Sequence, residues 1–300
     1  MIVCPKVNLF LEITARRPDG FHEIETVMQT VSNVADALTA EPAAGLALAV
    51  EDLRAPVPEA PAGGGVLPDA RPGGGALPAD ERNLVLRAAR ALQNRWPDLA
   101  AGKGAKFFLR KRIPDGAGLG GGSADAAAAL VLLNDLWKMR RTREELALAA
   151  ADVGSDVAFF LYGGTALCRG RGEVITPLPV PPVAVTLLVP PWKINTAAAY
   201  RELRQGAFAR HPAAPFVELL SRGTDGRALA EAGFNLFTEA AARLEPRQRE
   251  LADALRAAGV KGRLSGSGSC WWLPELDAVA RAGLEAEFSR RPALSGIRLL

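Results

Sequence analysis

Val7, Leu9, Leu11 and Ile13 alternate with the residues between them, and this period of two predicts a strand near the start of the chain. Thr30–Thr39 and Gly45–Val50 predict two more strands. The charged segment Arg16–His22 lies between the first two, and its Pro18-Asp19-Gly20 predicts a turn: a preset φ, a side-chain acceptor, then a residue free to take positive φ. Helical spacing begins with Leu84, Ala88, Ala91, Leu92 and Trp96, one apolar stripe over Asn83–Trp96. Ala105–Leu109 predicts a strand, followed by Arg110-Lys111-Arg112, a glycine loop over 116–122 and a helix from about Ser123 to Trp137. Arg143–Val153 predicts a helix capped by Thr142, and Val157–Leu161 and Thr165–Cys168 read as short β-runs. Beyond them come a strand, Val183–Val189, and helices near Ala197–Arg204, Asn235–Leu244, Pro246–Ala258 and Ala278–Ser289, with a strand at Arg263–Ser265. The order predicts an α+β fold of mixed sheets and helices.

Two stretches break this pattern. Residues 54–82 hold six prolines and two glycine triplets, in the repeated units PAGGGVLPDA and RPGGGALPAD. Two ten-residue units are too short for a solenoid and read as a flexible inserted surface loop. Val174–Trp192 is uncharged and long enough to raise a membrane span, but its six prolines would break a spanning helix. A domain boundary is expected there, giving units 1–178 and 179–300.

Composition narrows the chemistry. With 300 residues, 49% of them hydrophobic, the chain has material for a sizeable core, on the scale of two domains. A formal net charge of +3 supplies no strong field for nucleic acid. Cys4, Cys168 and Cys270 lie far apart, and with only His22 and His211 a His/Cys zinc centre is not expected. The opening MIVCPKVNLF shows no basic leader before an apolar core. These features predict a cytoplasmic protein acting on a small molecule, without nucleic acid or membrane, as a monomer or weak homodimer.

The strongest chemical signal is PDGAGLGGGSADAAAAL, Pro114–Leu130. Glycines at 116, 118, 120, 121 and 122 let the backbone approach an anion, and the following helix offers unpaired N–H groups and the positive end of its dipole. Together they make a phosphate cradle. No lysine follows the glycines, so this is not a Walker loop. A literal GxGxxG at Gly116, Gly118 and Gly121 is preceded by three cations, and the position about 20 residues on, near Leu136, is helical, which argues against a dinucleotide fold. Lys6 and Asn8, spaced by two, share one side of the first strand. Asp156 follows a glycine turn and precedes an apolar run, as either a partly buried structural carboxylate or a poised base. Ser265-Gly266-Ser267-Gly268-Ser269 is a second small-residue loop, either a plain turn or a second surface facing the phosphates.

The order of these elements resembles the GHMP family of small-molecule kinases. The runs PKVNLFLEI, RRPDGFHEIETVMQTV, NLVLRAARAL, KRIPDGAGLGGGSADAAAALVLLN, VGSDVAFFLYGGTALCRGRGE and LSGSGSC carry the likeness. They span most of the chain outside 51–82 and parts of the C-terminal half. DGFHE, with KVNLFL before it, narrows it to a branch whose acceptor is a cytidine-diphosphate-linked polyol. The resemblance implies a two-domain fold with ATP and acceptor in the cleft, ATP as co-substrate and Mg2+ bound mainly through it. It implies Lys6 and Asp156 as the catalytic pair, and Pro114, Asp115, Gly116, Ala117, Gly118, Leu119, Gly120, Gly121, Gly122, Ser123 and Ala124 around the phosphates. Ser123 faces the metal, and Asn83 and Lys111 lie toward the adenine. Asn8, Phe21, His22, Thr196 and Tyr200 are implied for the acceptor. Other kinases of the family, on mevalonate-, homoserine- or sugar-type acceptors, and a catalytically silent nucleotide-binding regulator are the alternatives. Phe21 stands where the family usually has Tyr, Ala124 replaces a second loop serine, and Asp115 and Asp125 add negative charge beside a triphosphate site.

Overall fold

The computed structural model describes residues 1–54, 77–203, 208 and 211–300. The duplicated glycine–proline units fall largely outside that range. Twelve strands and eleven helices form among the described residues. Strands β1 (Ile2–Val3), β4 (Asp36–Ala43), β5 (Leu46–Asp52) and β6 (Gly104–Lys111) make one sheet in the order β1-β4-β6-β5, its last pair parallel. Strands β2 (Lys6–Arg16), β3 (His22–Thr30), β7 (Thr165–Arg169) and β8 (Val174–Leu178) make an antiparallel second sheet in chain order. The third, in the order β10-β11-β9-β12, joins Arg263–Leu264, Trp271–Pro274, Val185–Val189 and Arg298–Leu299.

Helices α1 (Leu84–Arg95), α3 (Gly121–Leu136), α4 (Arg143–Val153) and α5 (Val157–Tyr162) cover the first sheet, packing Leu92, Leu130 and Leu133 on Leu38, Phe107 and Leu109. A short α2 (Pro97–Ala100) follows α1. Helices α6 (Thr196–Arg201), α7 (Ala214–Ser221), α8 (Gly226–Ala232), α9 (Phe237–Leu244), α10 (Arg247–Ala257) and α11 (Ala278–Ser289) surround the third sheet. The cores are not divided at residue 178: Val7, Leu9 and Leu119 pack in one cluster with Leu187 and Trp272. None of the described helices is long and apolar enough to cross a membrane.

β2 is buried without a break from Lys6 to Ile13, so both its faces are covered and its polar residues are as enclosed as its apolar ones. The Pro-Asp-Gly turn forms, with Gly20 at φ +87° and the Arg17 N–H donating to the Phe21 carbonyl. Thr30–Thr39 is not one strand: it straddles the end of β3 and the start of β4, with a bend at Asn33 and Val34. Val157–Leu161 is helix, not β. A short apolar run carries no periodicity to separate the two, and here it caps the α-layer. β8 was hidden by its proline, which an edge strand tolerates because its outer N–H needs no partner. Thr142 caps α4 in a reciprocal capping box with Glu145.

Candidate active site

The glycine loop runs between β6 and α3, and α3 begins at Gly121, two residues before the sequence suggests. Gly116, Gly118 and Gly120 take φ of +66°, +77° and +68°. The loop's carbonyls are committed inward. Leu119 O accepts the Lys6 N–H, Ala117 O the Cys270 N–H, and Gly118 O the Ser265 hydroxyl at 3.0 Å. Gly120 caps α3 with no side chain, so the N–H groups of Gly121, Gly122 and Ser123 have no partner within the helix. Among the described residues these N–H groups meet no side-chain cap, the arrangement the sequence reading assigns to phosphate.

Lys6, 3% exposed, reaches the loop from β2. Its Nζ donates to Asn8 Oδ1 at 2.6 Å and Gly118 O at 3.0 Å, and lies 3.6 Å from Asp156 Oδ2. Asn8 is itself fixed, its Nδ2 donating to Thr26 Oγ1 at 2.9 Å and its backbone N–H to Ser265 Oγ at 3.2 Å. Sequence reasoning did not single out Thr26, whose partner depends on the β2–β3 register. Asp156 precedes α5 with its side chain one-third exposed. The 265–270 loop lies across the glycine loop, since a Cβ on Gly266 would stand 3.5 Å from Lys6 Nζ and 3.3 Å from Gly118 Cα. It is therefore a second wall of the site and not a plain turn.

A cluster of rings sits beside this centre. His22 lies tilted on Tyr200 at 4.9 Å and meets Phe208 edge-on at 5.9 Å, while Tyr200 packs on Phe237. Burial, and after it the charge of Asp156, pushes the Tyr200 hydroxyl up to about 12, so the ring cluster and the carboxylate share one environment. Burial, then Arg16, lowers the His22 imidazole below its ordinary value, favouring the neutral ring. Phe21 is half-exposed, with the Arg171 guanidinium 5.0 Å over its ring. Thr196 Oγ1 lies 2.9 Å from Ser267 Oγ.

Four expected nucleotide ligands sit otherwise than expected. Lys111 is buried, its Nζ held by Asp36 and Asp125 at 2.5 and 2.6 Å. Asn83 caps α1, accepting the Val85 N–H, and donates to the Pro78 carbonyl. Ala124 turns into the core, its N–H bonded to Gly120 O. Asp115 is exposed and pairs with Lys193 at 3.2 Å. Asp125 faces Lys111 and not solvent, and burial pushes its carboxyl upward. Among the described residues, no three His, Cys, Asp or Glu side chains converge to hold a metal ion.

Residues 83–164 match the model of the GHMP kinases N terminal domain and residues 216–271 that of the GHMP kinases C terminal. Fold and site together define an ATP-dependent small-molecule kinase of the GHMP class. The 4-diphosphocytidyl-2-C-methyl-D-erythritol kinase of Pelotomaculum thermopropionicum is 40% identical over 88% of this chain and 84% of its own length. That of Salinispora arenicola is 41% identical over 88% and 79%. A crystal structure of 4-(cytidine 5'-diphospho)-2C-methyl-D-erythritol kinase superposes with a TM-score of 0.70 at 31% identity, covering 100% of this chain and 97% of that one. Homoserine kinase from Cytophaga hutchinsonii shares the fold, with a TM-score of 0.69 at 21% identity over 100% and 93% of the two chains. The chain belongs to the 4-diphosphocytidyl-2-C-methyl-D-erythritol kinase family.

Proposed function

We propose that this chain transfers the γ-phosphoryl group of ATP to the 2-hydroxyl of 4-diphosphocytidyl-2-C-methyl-D-erythritol, a step in the non-mevalonate route to isoprenoid precursors. The observation that carries this reading is the meeting of Lys6, Asp156 and the Gly118 carbonyl beside the uncapped start of α3. Asp156 takes the proton of the acceptor hydroxyl as its oxygen bonds to the γ-phosphorus and the bond to the bridging oxygen breaks, releasing ADP. Lys6 has three donors, two of them spent on neutral oxygens, and the third points its charge at the developing alkoxide. The N–H groups of Gly121, Gly122 and Ser123 receive the phosphates.

The half-buried Ser123 hydroxyl at the start of α3 would hold the magnesium that accompanies ATP, and the ion would spread the phosphate charge when bound. His22, Phe21 and Tyr200 hold the cytosine, and Asn8 and Thr196 the polar arm. Residues 1–178 supply the lysine, the glycine loop and the carboxylate, and residues 179–300 the 265–269 wall, over a core the two share. The test is ATP consumption with the cytidylated erythritol beside mevalonate, homoserine and galactose. Turnover with the first alone is expected, and turnover with any other in its place, or with none, overturns the reading.

A further inference from the structure

Positive-φ glycines at 116, 118 and 120 make the glycine loop a permissive backbone, and the bonds of its carbonyls to Lys6, Ser265 and Cys270 fix its middle and not its ends. What lies beneath it is a buried set of three charges. Lys111, the last residue of β6, places Nζ 2.5 Å from Asp36 Oδ2 and 2.6 Å from Asp125 Oδ2, with all three side chains at most 4% exposed. The two carboxylates grip opposite ends of the loop. Asp36 Oδ1 accepts the backbone N–H groups of Arg112 and Ile113, at 2.5 and 2.8 Å, where the chain runs into the loop. Asp125 stands in the second turn of α3, where the chain has left it. Lys111 thus joins one end to the other. Its ammonium sits directly under the cradle, since a Cβ on Gly121 would come within 2.9 Å of Nζ.

Stability alone is a weak reason for such a set. Desolvating three charges offsets most of their attraction, and apolar replacements of buried ion pairs are often neutral or stabilising. Asp125 Oδ1, moreover, is buried without a hydrogen-bond partner. What the set supplies is position. A cradle already ordered avoids the entropy of ordering it when the nucleotide binds. We propose that Asp36, Lys111 and Asp125 form a clasp that positions the glycine loop and the first turn of α3 for the phosphates of ATP. Lys111 and Asp125 are positioning residues, acting through the loop's backbone without touching nucleotide. This rests on the kinase reading above.

The test is the double variant Lys111→Met/Asp125→Leu, which removes the clasp with apolar side chains of similar length and leaves Asp36 on its two backbone donors. Its melting temperature is expected to fall, because Asp36 loses its buried cation, while in the folded variant the ATP Kd by titration calorimetry rises about tenfold or more and the acceptor KM moves less than about twofold. Asp125→Asn keeps an acceptor for Lys111 and is expected to hold the ATP Kd within about threefold. A folded double variant with the parental ATP Kd overturns the clasp, as does equal weakening by Asp125→Asn. Should the double variant not fold, Asp125→Ala, which keeps the Lys111–Asp36 pair, is expected to weaken ATP about fivefold, and a parental Kd there overturns the proposal. Calorimetry needs no acceptor, so a parent that binds ATP but turns over no acceptor fails the kinase reading and leaves the clasp standing.

Discussion

Lys6 Nζ and Asp156 Oδ2 stand 3.6 Å apart, too far for a direct hydrogen bond, while two other acceptors hold the ammonium at 2.6 and 3.0 Å. The lysine is fixed by Asn8 and Gly118 and not by the carboxylate, so Asp156 keeps its lone pairs for an incoming hydroxyl. Asp156→Asn is therefore expected to lower kcat by about 10²- to 10⁴-fold while changing the ATP Kd by less than about threefold. Steady-state kinetics and calorimetry read the two quantities, and near-normal turnover would remove Asp156 as the base.

Gly118 is where the two loops touch. Its φ is +77°, and a Cβ there would collide with the Ser265 carbonyl. Gly118→Ala is expected to force the loops apart, raising the ATP KM about tenfold or more and costing about 1–3 kcal/mol of stability. A variant with the parental KM and melting temperature would show that the contact is dispensable.

His22 carries a sign. Burial and Arg16 hold its proton affinity below the ordinary 6.5, so the ring is neutral in the folded protein at neutral pH. The stability linked to that neutral state is complete above 6.5 and is lost as pH falls through the lower folded value. The acceptor KM is expected to be flat from about pH 8 down to 6.5 and to rise only below it, with His22→Gln removing the rise. An inflection in KM above 6.5 that vanishes with His22 would reverse the assignment.

Lys193 and Asp115 predict opposite signs. The stem of Lys193 packs beside Gly116, with Cδ 3.4 Å from where a Cβ would stand, and its ammonium pairs with an exposed carboxylate. Exposed pairs of this kind hold weakly, so a triphosphate in the cradle draws the lysine away from Asp115. Lys193→Ala is expected to raise the ATP KM about two- to fivefold and Asp115→Asn to lower it by a similar factor. Changes in the same direction would dismiss the exchange.

The glycine loop between β6 and α3 was the most legible part of this chain, because its form is dictated by adjacent residues. The strand bearing Lys6 and Asn8 was legible for the same reason. What stayed hidden depends on pairing across distance. Lys111 reads as a strand-end cation until β4 brings Asp36 beside it and its ammonium turns inward to that carboxylate. The nearness of Asp156 to Lys6, 150 residues earlier in the chain and 3.6 Å away, was likewise invisible along the sequence. The run after it was misread because five apolar residues in a row fit strand and helix equally well. His22 was legible as a turn residue, but its ring contacts, tilted on Tyr200 and edge-on to Phe208, come from packing between distant segments.

The Ala117 carbonyl is met by the Cys270 N–H, the Gly118 carbonyl by the Ser265 hydroxyl as well as by Lys6, and the Asn8 N–H by Ser265. Asn8 and Ser265 stand 257 positions apart in the chain, so the surroundings of Lys6 are complete only once two distant segments have docked on one another.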